Sequence, residues 1–248
     1  MPRDERPLEA DHLSDPGVPA ALLSGELELL GLLPNSSNYT FLAKATAGED
    51  QVLAVYKPQR GETPLWDFPE GTLCRREVAA YVVARELGWP SIPPTVLRNG
   101  PEGLGSVQLF VEFDTSQHYF TLEGTRRDEF RRIALFDVVV NNADRKGGHC
   151  LLSPDGTIWV VDHGVCFSDE PKLRTVIWEH AGEPIPRELL AALRRFRDGL
   201  ANGPVRAELS DLLSVEELTA LDARIDAVVR VGVFPEPGPG RPYPWPPV

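Results

Sequence analysis

Three short runs near the start of the chain, 26–33, 39–46 and 51–57, read as strands from their apolar and polar patterning. Their separators, Pro34-Asn-Ser-Ser-Asn38 and Ala47-Gly-Glu-Asp50, carry turn chemistry, which predicts an antiparallel meander. A loop over 58–71 leads into a helix at 72–87, where Val78, Tyr81, Val82 and Arg85 keep a helical period and Gly88 ends it. Strand-like runs at 94–98 and 107–113 complete an α+β lobe of five strands and one helix.

Beyond this lobe the pattern turns helical. A helix is expected at 126–141, and further helices at 171–180, 186–200, 206–213 and 215–230, punctuated by Pro184 and Pro186. Between them, 149–152 and 157–161 flank Ser153-Pro-Asp-Gly156, a strong hairpin signal. The division expected is a flexible leader at 1–20, an N-terminal lobe at 21–113, a helical C-terminal lobe at 114–233 and a proline-rich tail at 234–248. The tail holds seven prolines, so extended polyproline or disorder is expected there.

Composition narrows the function. With 248 residues and 42% hydrophobic content, the chain can bury a core in two lobes of about 100 residues each. No run of 18 apolar residues occurs and the first residues are acidic, so a soluble, unexported, cytoplasmic protein is expected. Cys74, Cys150 and Cys166 form no CxxC spacing and suggest neither a disulfide framework nor a zinc knuckle. A net charge of -12 argues against nucleic-acid partners and against stable membrane association.

The hairpin supplies the first chemical inference. Folding about Pro154 and Asp155 pairs positions whose numbers sum to about 309 or 310, placing Asp162 opposite Gly147 or Gly148. Cross-strand neighbours have Cβ atoms roughly 4.5–5.5 Å apart. Asp162 should then lie near His149 and within reach of Asp144, a divalent-metal and phosphate arrangement. Taken alone, Asp162 also reads as a turn carboxylate, and Gly164 as the point where the backbone bends. Lys57 shares a face with Leu53 and Val55; if that face is inward it needs an anion, which Glu77 on the following helix can supply, unless both side chains snorkel at an edge. Asp137 falls on the apolar stripe Phe130, Ile133, Ala134, Asp137, Asn141 and reads as a buried acid bonded to the loop that follows. His118, His163, His180 and the cysteines read as packed or surface residues.

These residues, in this order from about 33 to 167, resemble the phosphatidylinositol 3- and 4-kinase superfamily, within the wider protein-kinase-like fold. Val55-Tyr-Lys57-Pro58 is similar to the strand bearing the nucleotide-contacting lysine, and Arg76-Glu77-Val78 to the helix whose glutamate pairs with it. Asn142-Ala-Asp144-Arg145 resembles the catalytic loop, and Val161-Asp162-His163-Gly164 stands where these kinases carry a metal-binding Asp-x-Gly. The likeness is especially close to a group of actinobacterial phosphatidylinositol-kinase-like proteins.

The resemblance implies a two-lobed α+β fold and the cofactors ATP and Mg2+ or Mn2+. It implies that Asp144 orients and deprotonates an acceptor hydroxyl, that Lys146 neutralises the transferred phosphoryl group, and that Asp162 and the residue at 149 hold the metal. Asn35, Ser36, Ser37 and Asn38 would cover the phosphates, and the run 108–112, with Gln108, Phe110 and Glu112, would be the hinge against adenine. At 149 the family's Asn is replaced by His149, which shifts metal preference toward softer ions or weakens catalysis. The expected activity is ATP-dependent phosphoryl transfer to a protein or small-molecule hydroxyl, the acidic balance arguing against a lipid. The rival is a nucleotide-binding pseudokinase serving as a regulatory or scaffolding module.

Overall fold

The computed structural model describes residues 17–34 and 38–248. In chain order the elements are α1 (Ala20–Ser24), β1 (Glu26–Leu32), β2 (Phe41–Ala47), β3 (Asp50–Pro58), α2 (Leu73–Leu87), β4 (Thr95–Gly100) and β5 (Gly103–Leu109). There follow α3 (Tyr119–Leu122), α4 (Arg127–Val140), β6 (Cys150–Leu152), β7 (Ile158–Val160), α5 (Arg187–Asn202), α6 (Pro204–Ser210) and α7 (Val215–Val231). The first five strands form one antiparallel sheet in the order β1-β2-β3-β5-β4, and β6 and β7 form a separate hairpin. The fold is thus α+β, a sheet-and-helix lobe joined to a mainly helical one.

Alternation along β3 explains how the sheet presents its lysine. Ala54 and Tyr56 are fully buried, on the face that also carries Ala43 and Ala45 of β2 and packs beneath α1. Leu53, Val55 and Lys57 alternate to the opposite, less buried face. Lys57 therefore shares a face with Leu53 and Val55, as its spacing requires, but the better-buried face is the other one. The expected leader hid this: residues 1–16 lie outside the described residues, yet Val18 is buried and α1 covers the sheet.

Helix α2 joins the lobes. Its C-cap Gly88 adopts φ 76° and donates to Ala84 O, a left-handed termination that glycine tolerates best. Arg76, 1% exposed, pairs with Glu217 of α7 and donates to Cys166 O. Arg85 pairs with Glu208 of α6, and Arg75 donates to Asp211 O.

Two expectations are corrected, and of the two alternatives for the tail the extended one is found. The runs at 94–98 and 107–113 become a longer hairpin, β4 and β5, and the sheet ends at Leu109, leaving 110–113 irregular. Residues 171–180 are not helical. Arg174 N–H donates to Asn142 O, Arg145 N–H to Arg174 O and Val176 N–H to Arg145 O, so pairing with the neighbouring loop overrides local propensity. The tail at 234–248 is extended but docked: Phe234 is buried, and Pro242 and Pro247 accept main-chain hydrogen bonds from the C-terminal lobe.

Candidate functional site

The site assembles where β3, α2, the loop after α4 and the end of β7 meet. The β6–β7 register pairs Cys150 with Val160, Leu151 with Trp159 and Leu152 with Ile158. Val161 N–H then donates to His149 O, which brings His149 Nε2 within 3.3 Å of Asp162 Oδ2. Asp162 itself adopts φ 63°, a left-handed conformation disfavoured for a residue with a Cβ. The left-handed turn thus falls on the acid and not on Gly164, and the carboxylate meets Lys57 and His149.

Lys57 binds two acids at once. Its Nζ contacts Glu77 Oε1 and lies 3.0 Å from Asp162 Oδ1, while Glu77 Oε2 accepts from His163 N–H at 2.9 Å. One glutamate therefore fixes both the lysine and the backbone beside Asp162. The Asp162 side chain remains 49% exposed, so a ligand can reach it.

A second, fully buried network shapes the loop carrying Asp144. Asp137 accepts from Asn142 Nδ2 at 3.0 Å, from Arg145 Nε at 3.1 Å and from Thr175 Oγ1 at 3.1 Å. Asn142 Oδ1 in turn accepts from Asp144 N–H at 2.9 Å, and Arg145 also donates to Val161 O at 2.9 Å. The loop is thereby tied to β7 and to the segment at 174–176. Asp144, partly exposed at its tip, meets Lys146 Nζ at 2.6 Å.

The charges are tuned by these contacts. Burial opposes the Lys57 ammonium, but Asp162 and Glu77 outweigh it and raise its pKa. The Lys57 cation holds the Asp162 carboxyl well below the usual carboxylate range. Burial raises Asp144, with Lys146 opposing. Burial lowers His149 to about 4, leaving it neutral near pH 7. Lys146 N–H lies 3.3 Å from His149 Nδ1, so Nδ1 acts as acceptor and the ring proton sits on Nε2, directed at Asp162. In this tautomer His149 orients Asp162 by a hydrogen bond; metal ligation through Nε2 would require that proton to leave.

Among the described residues, no three His, Cys, Asp or Glu side chains converge as a ready-made metal cage. Mg2+ fits such a site nonetheless, because it commonly uses one or two carboxylates and takes its other ligands from phosphates and water. The exposed Asp162 carboxylate satisfies that requirement.

The remaining candidate residues lie away from Lys57 in the sequence and take separate positions where they are described. Asn35, Ser36 and Ser37 lie outside the described residues; Asn38 Oδ1 accepts from Thr63 N–H at 2.7 Å. Gln108 is buried in β5 with its side-chain amide on Thr95 Oγ1, and Phe110 N–H donates to Leu53 O. Among the described residues, the N–H groups of Val111, Glu112 and Phe113 have no protein acceptor, so along the run 108–112 expected as a hinge the free donors start after Phe110. Glu112, Phe113 and Asp114 line an open cavity of about 480 Å³ with Leu152, Ser153, Pro154 and Gly156. The network through Asp137 to Arg145 and Thr175 was only half visible in sequence: helical spacing flags Asp137, whereas nothing local marks Thr175. Arg76 and Glu217, 141 positions apart, left no sequence signal of their pairing.

No family model matches the chain. Protein Rv2133c of Mycobacterium tuberculosis is 39% identical over 262 residues, spanning 92% of this chain and 94% of that protein. Phosphatidylinositol 4-kinase gamma 4 of Oryza sativa subsp. japonica is 29% identical over 206 residues, 65% of this chain but 36% of the rice protein; the Arabidopsis thaliana protein of the same name is 29% identical over 154 residues. This chain therefore spans only about a third of those plant relatives' length. In three dimensions, the Helicobacter pylori proinflammatory kinase CtkA matches with a TM-score of 0.51 at 12% identity, over 85% of this chain and 93% of that one. The chain belongs to the family of Rv2133c, and its fold is kinase-like, of the phosphatidylinositol-kinase-like kind.

Proposed function

We propose that this protein is an ATP-dependent phosphotransferase that acts on a protein or small-molecule hydroxyl, with Mg2+ or Mn2+ as its metal. The observation that carries the reading is Lys57, held by Glu77 of α2 and facing Asp162 across the lobes. A cation so fixed, beside an accessible carboxylate, matches what phosphoryl transfer asks of a protein: positioning and charge compensation at the phosphates.

The nucleotide would lie along the β6–β7 hairpin. At 3.2–3.4 Å per residue, Ser153 lies about 13 Å from His149 along the strand direction, so a base near Val111–Phe113 can send its phosphates to Lys57 and Asp162. The free amides of 111–113 would donate to adenine. Asp162 would hold the metal, which when bound neutralises charge on the β- and γ-phosphates. Asp144 would accept the acceptor hydroxyl's proton; the raised pKa given by burial suits a base. The hydroxyl oxygen bonds to the γ-phosphorus, the bond from that phosphorus to the β,γ-bridging oxygen breaks, and ADP leaves. Lys146, 2.6 Å from Asp144, can accompany the moving phosphoryl charge.

One observation favours a second reading. His149 directs an N–H at Asp162 where a metal ligand is expected, which suits a nucleotide-binding pseudokinase. A thermal-shift titration with ATP and either Mg2+ or Mn2+, on wild type and Lys57→Ala, tests nucleotide binding. At 100 times the dissociation constant, bound ligand adds about 2.7 kcal/mol. Stabilisation of wild type and its loss in the variant is the expected result; equal behaviour of the two overturns the reading. His149→Asn, assayed for ATP turnover beside wild type, separates the alternatives: turnover in wild type supports the kinase, and turnover gained only in the variant supports the pseudokinase.

A further inference from the structure

The tail at 234–248 does not simply trail from the C-terminal lobe; it is bound across the loop that carries Asp144 and Lys146. It starts from an anchor at Phe234, which is buried against His180 and exchanges main-chain hydrogen bonds with Gly182 and Glu183. Further along, Pro242 O accepts from Thr175 N–H at 3.0 Å and from Trp178 Nε1 at 3.3 Å. Pro244 is buried. Five residues after Pro242, Pro247 O accepts from Gly147 N–H at 2.8 Å.

Both receiving segments belong to the catalytic loop's immediate frame. Gly147 directly follows Lys146, and Thr175 pairs with Arg145 through a parallel bridge while its hydroxyl donates to Asp137. An acceptor whose hydroxyl reaches Asp144 would lie close to these groups, since Gly147 is three residues from Asp144 and Thr175 bridges Arg145 beside it. The surface is shaped for a main chain: two backbone N–H groups and one indole N–H present donors to carbonyls of an extended segment. Gly147 carries no side chain, and a Cβ there would lie 2.9 Å from the ring of Phe120, so the bare glycine lets that aromatic pack close beside the bound segment. Proline suits such a groove, since it keeps its carbonyl acceptor, needs no N–H partner and is already extended.

We infer that this surface is the acceptor groove, that the acceptor class is an extended, proline-bearing polypeptide, and that residues 242–248 occupy the groove in cis as a competing ligand. This rests on the phosphotransferase reading and narrows its acceptor from any hydroxyl to a peptide one. The tail's own composition fits a competitor. From 234 to 248 it contains no Ser or Thr, and its one hydroxyl belongs to Tyr243, which is half exposed. It holds the groove without presenting an aliphatic hydroxyl to Asp144.

The test uses the full chain and a fluorescein-labelled peptide of the sequence 241–248 as probe, with binding read by anisotropy. Two variants release the tail in different ways. Pro244→Asp places a charge at a buried position, and the combination Pro242→Gly, Pro244→Gly and Pro246→Gly keeps every carbonyl but loosens the chain. Both variants should bind the peptide at least tenfold more tightly than wild type, and adding Trp178→Phe to Pro244→Asp should weaken that binding. The same isotherm for wild type and both variants overturns the groove. A second arm supplies γ-labelled ATP and the peptide carrying Pro246→Ser: label on that serine, faster in the variants, supports the acceptor role. Peptide binding with no label on the serine, in a protein that releases labelled phosphate to water, overturns the acceptor role. Absence of any γ-phosphate loss alongside intact peptide binding contradicts the phosphotransferase reading and leaves the groove standing.

Discussion

Replacing Asp137 with Asn is the sharpest perturbation of the loop that carries Asp144. Asp137 and Arg145 both have fully buried side chains, and the Asp137 carboxylate is the guanidinium's anionic partner. Asp137→Asn keeps the shape and one carbonyl acceptor but leaves the Arg145 charge buried without a counter-ion. Breaking one side of such a pair costs about 3–5 kcal/mol. The retained bond from Arg145 to Val161 O, and the carbonyl acceptor that Asn keeps, place the expectation at the lower end, about 3 kcal/mol. At about 2–4 °C per kcal/mol for a chain of this size, the midpoint should fall by roughly 6–12 °C. Calorimetry and urea denaturation read this directly. Thr175→Val, which removes a neutral donor to the same carboxylate and the acceptor of the buried Ile177 N–H, should cost about 1–3 kcal/mol. A loss under about 1 kcal/mol for Asp137→Asn would refute the claim that this ion pair organises the loop.

Other expectations follow from the same structure. Arg76→Met leaves Glu217 without its buried partner and unpins α2 from α7, so it should destabilise by about 3–5 kcal/mol in urea titration, whereas a surface-like role predicts under about 1 kcal/mol. The three cysteines are buried; burial also raises the thiol pKa values of Cys74 and Cys166 and pushes Cys150 up to about 12, so native protein at pH 8 should resist alkylation that proceeds fully in denaturant, as mass spectrometry would show. His149 has its pKa lowered to about 4 from 6.5, so the unfolded chain binds its proton first as pH falls. Its contribution is complete above pH 6.5 and is lost as pH drops toward 4, by at most roughly 3 kcal/mol, and His149→Asn should flatten that part of the stability profile.

Much of this architecture is legible where physics is local. The Ser153-Pro-Asp-Gly156 turn fixes the hairpin register, whose pairs sum to 310, and so delivers Asp162 to His149. Helical spacing places Glu77 on α2 and two-residue alternation places Lys57, which is enough to bring the two together. What remained hidden depends on distant partners. The buried face of β3 is set by α1, whose five residues are too short to show a period. Residues 171–180 carry a helical pattern, yet Arg174 and Val176 hydrogen-bond to the loop around Arg145, a contact no local rule encodes. The docked tail is hidden for the same reason: proline content forecasts its extended backbone, but its seat on Gly147 and Thr175 is a tertiary fact.

The central claim, that Lys57, Asp144 and Asp162 move a γ-phosphoryl group, is tested most directly by following which phosphorus leaves ATP. Phosphorus NMR of the full chain with ATP and Mg2+ or Mn2+ should show ADP appearing together with inorganic phosphate or a new phosphoester, at least a hundredfold more slowly in Asp162→Asn. AMP and pyrophosphate as the products, or an equal rate in wild type and Asp162→Asn, would contradict it.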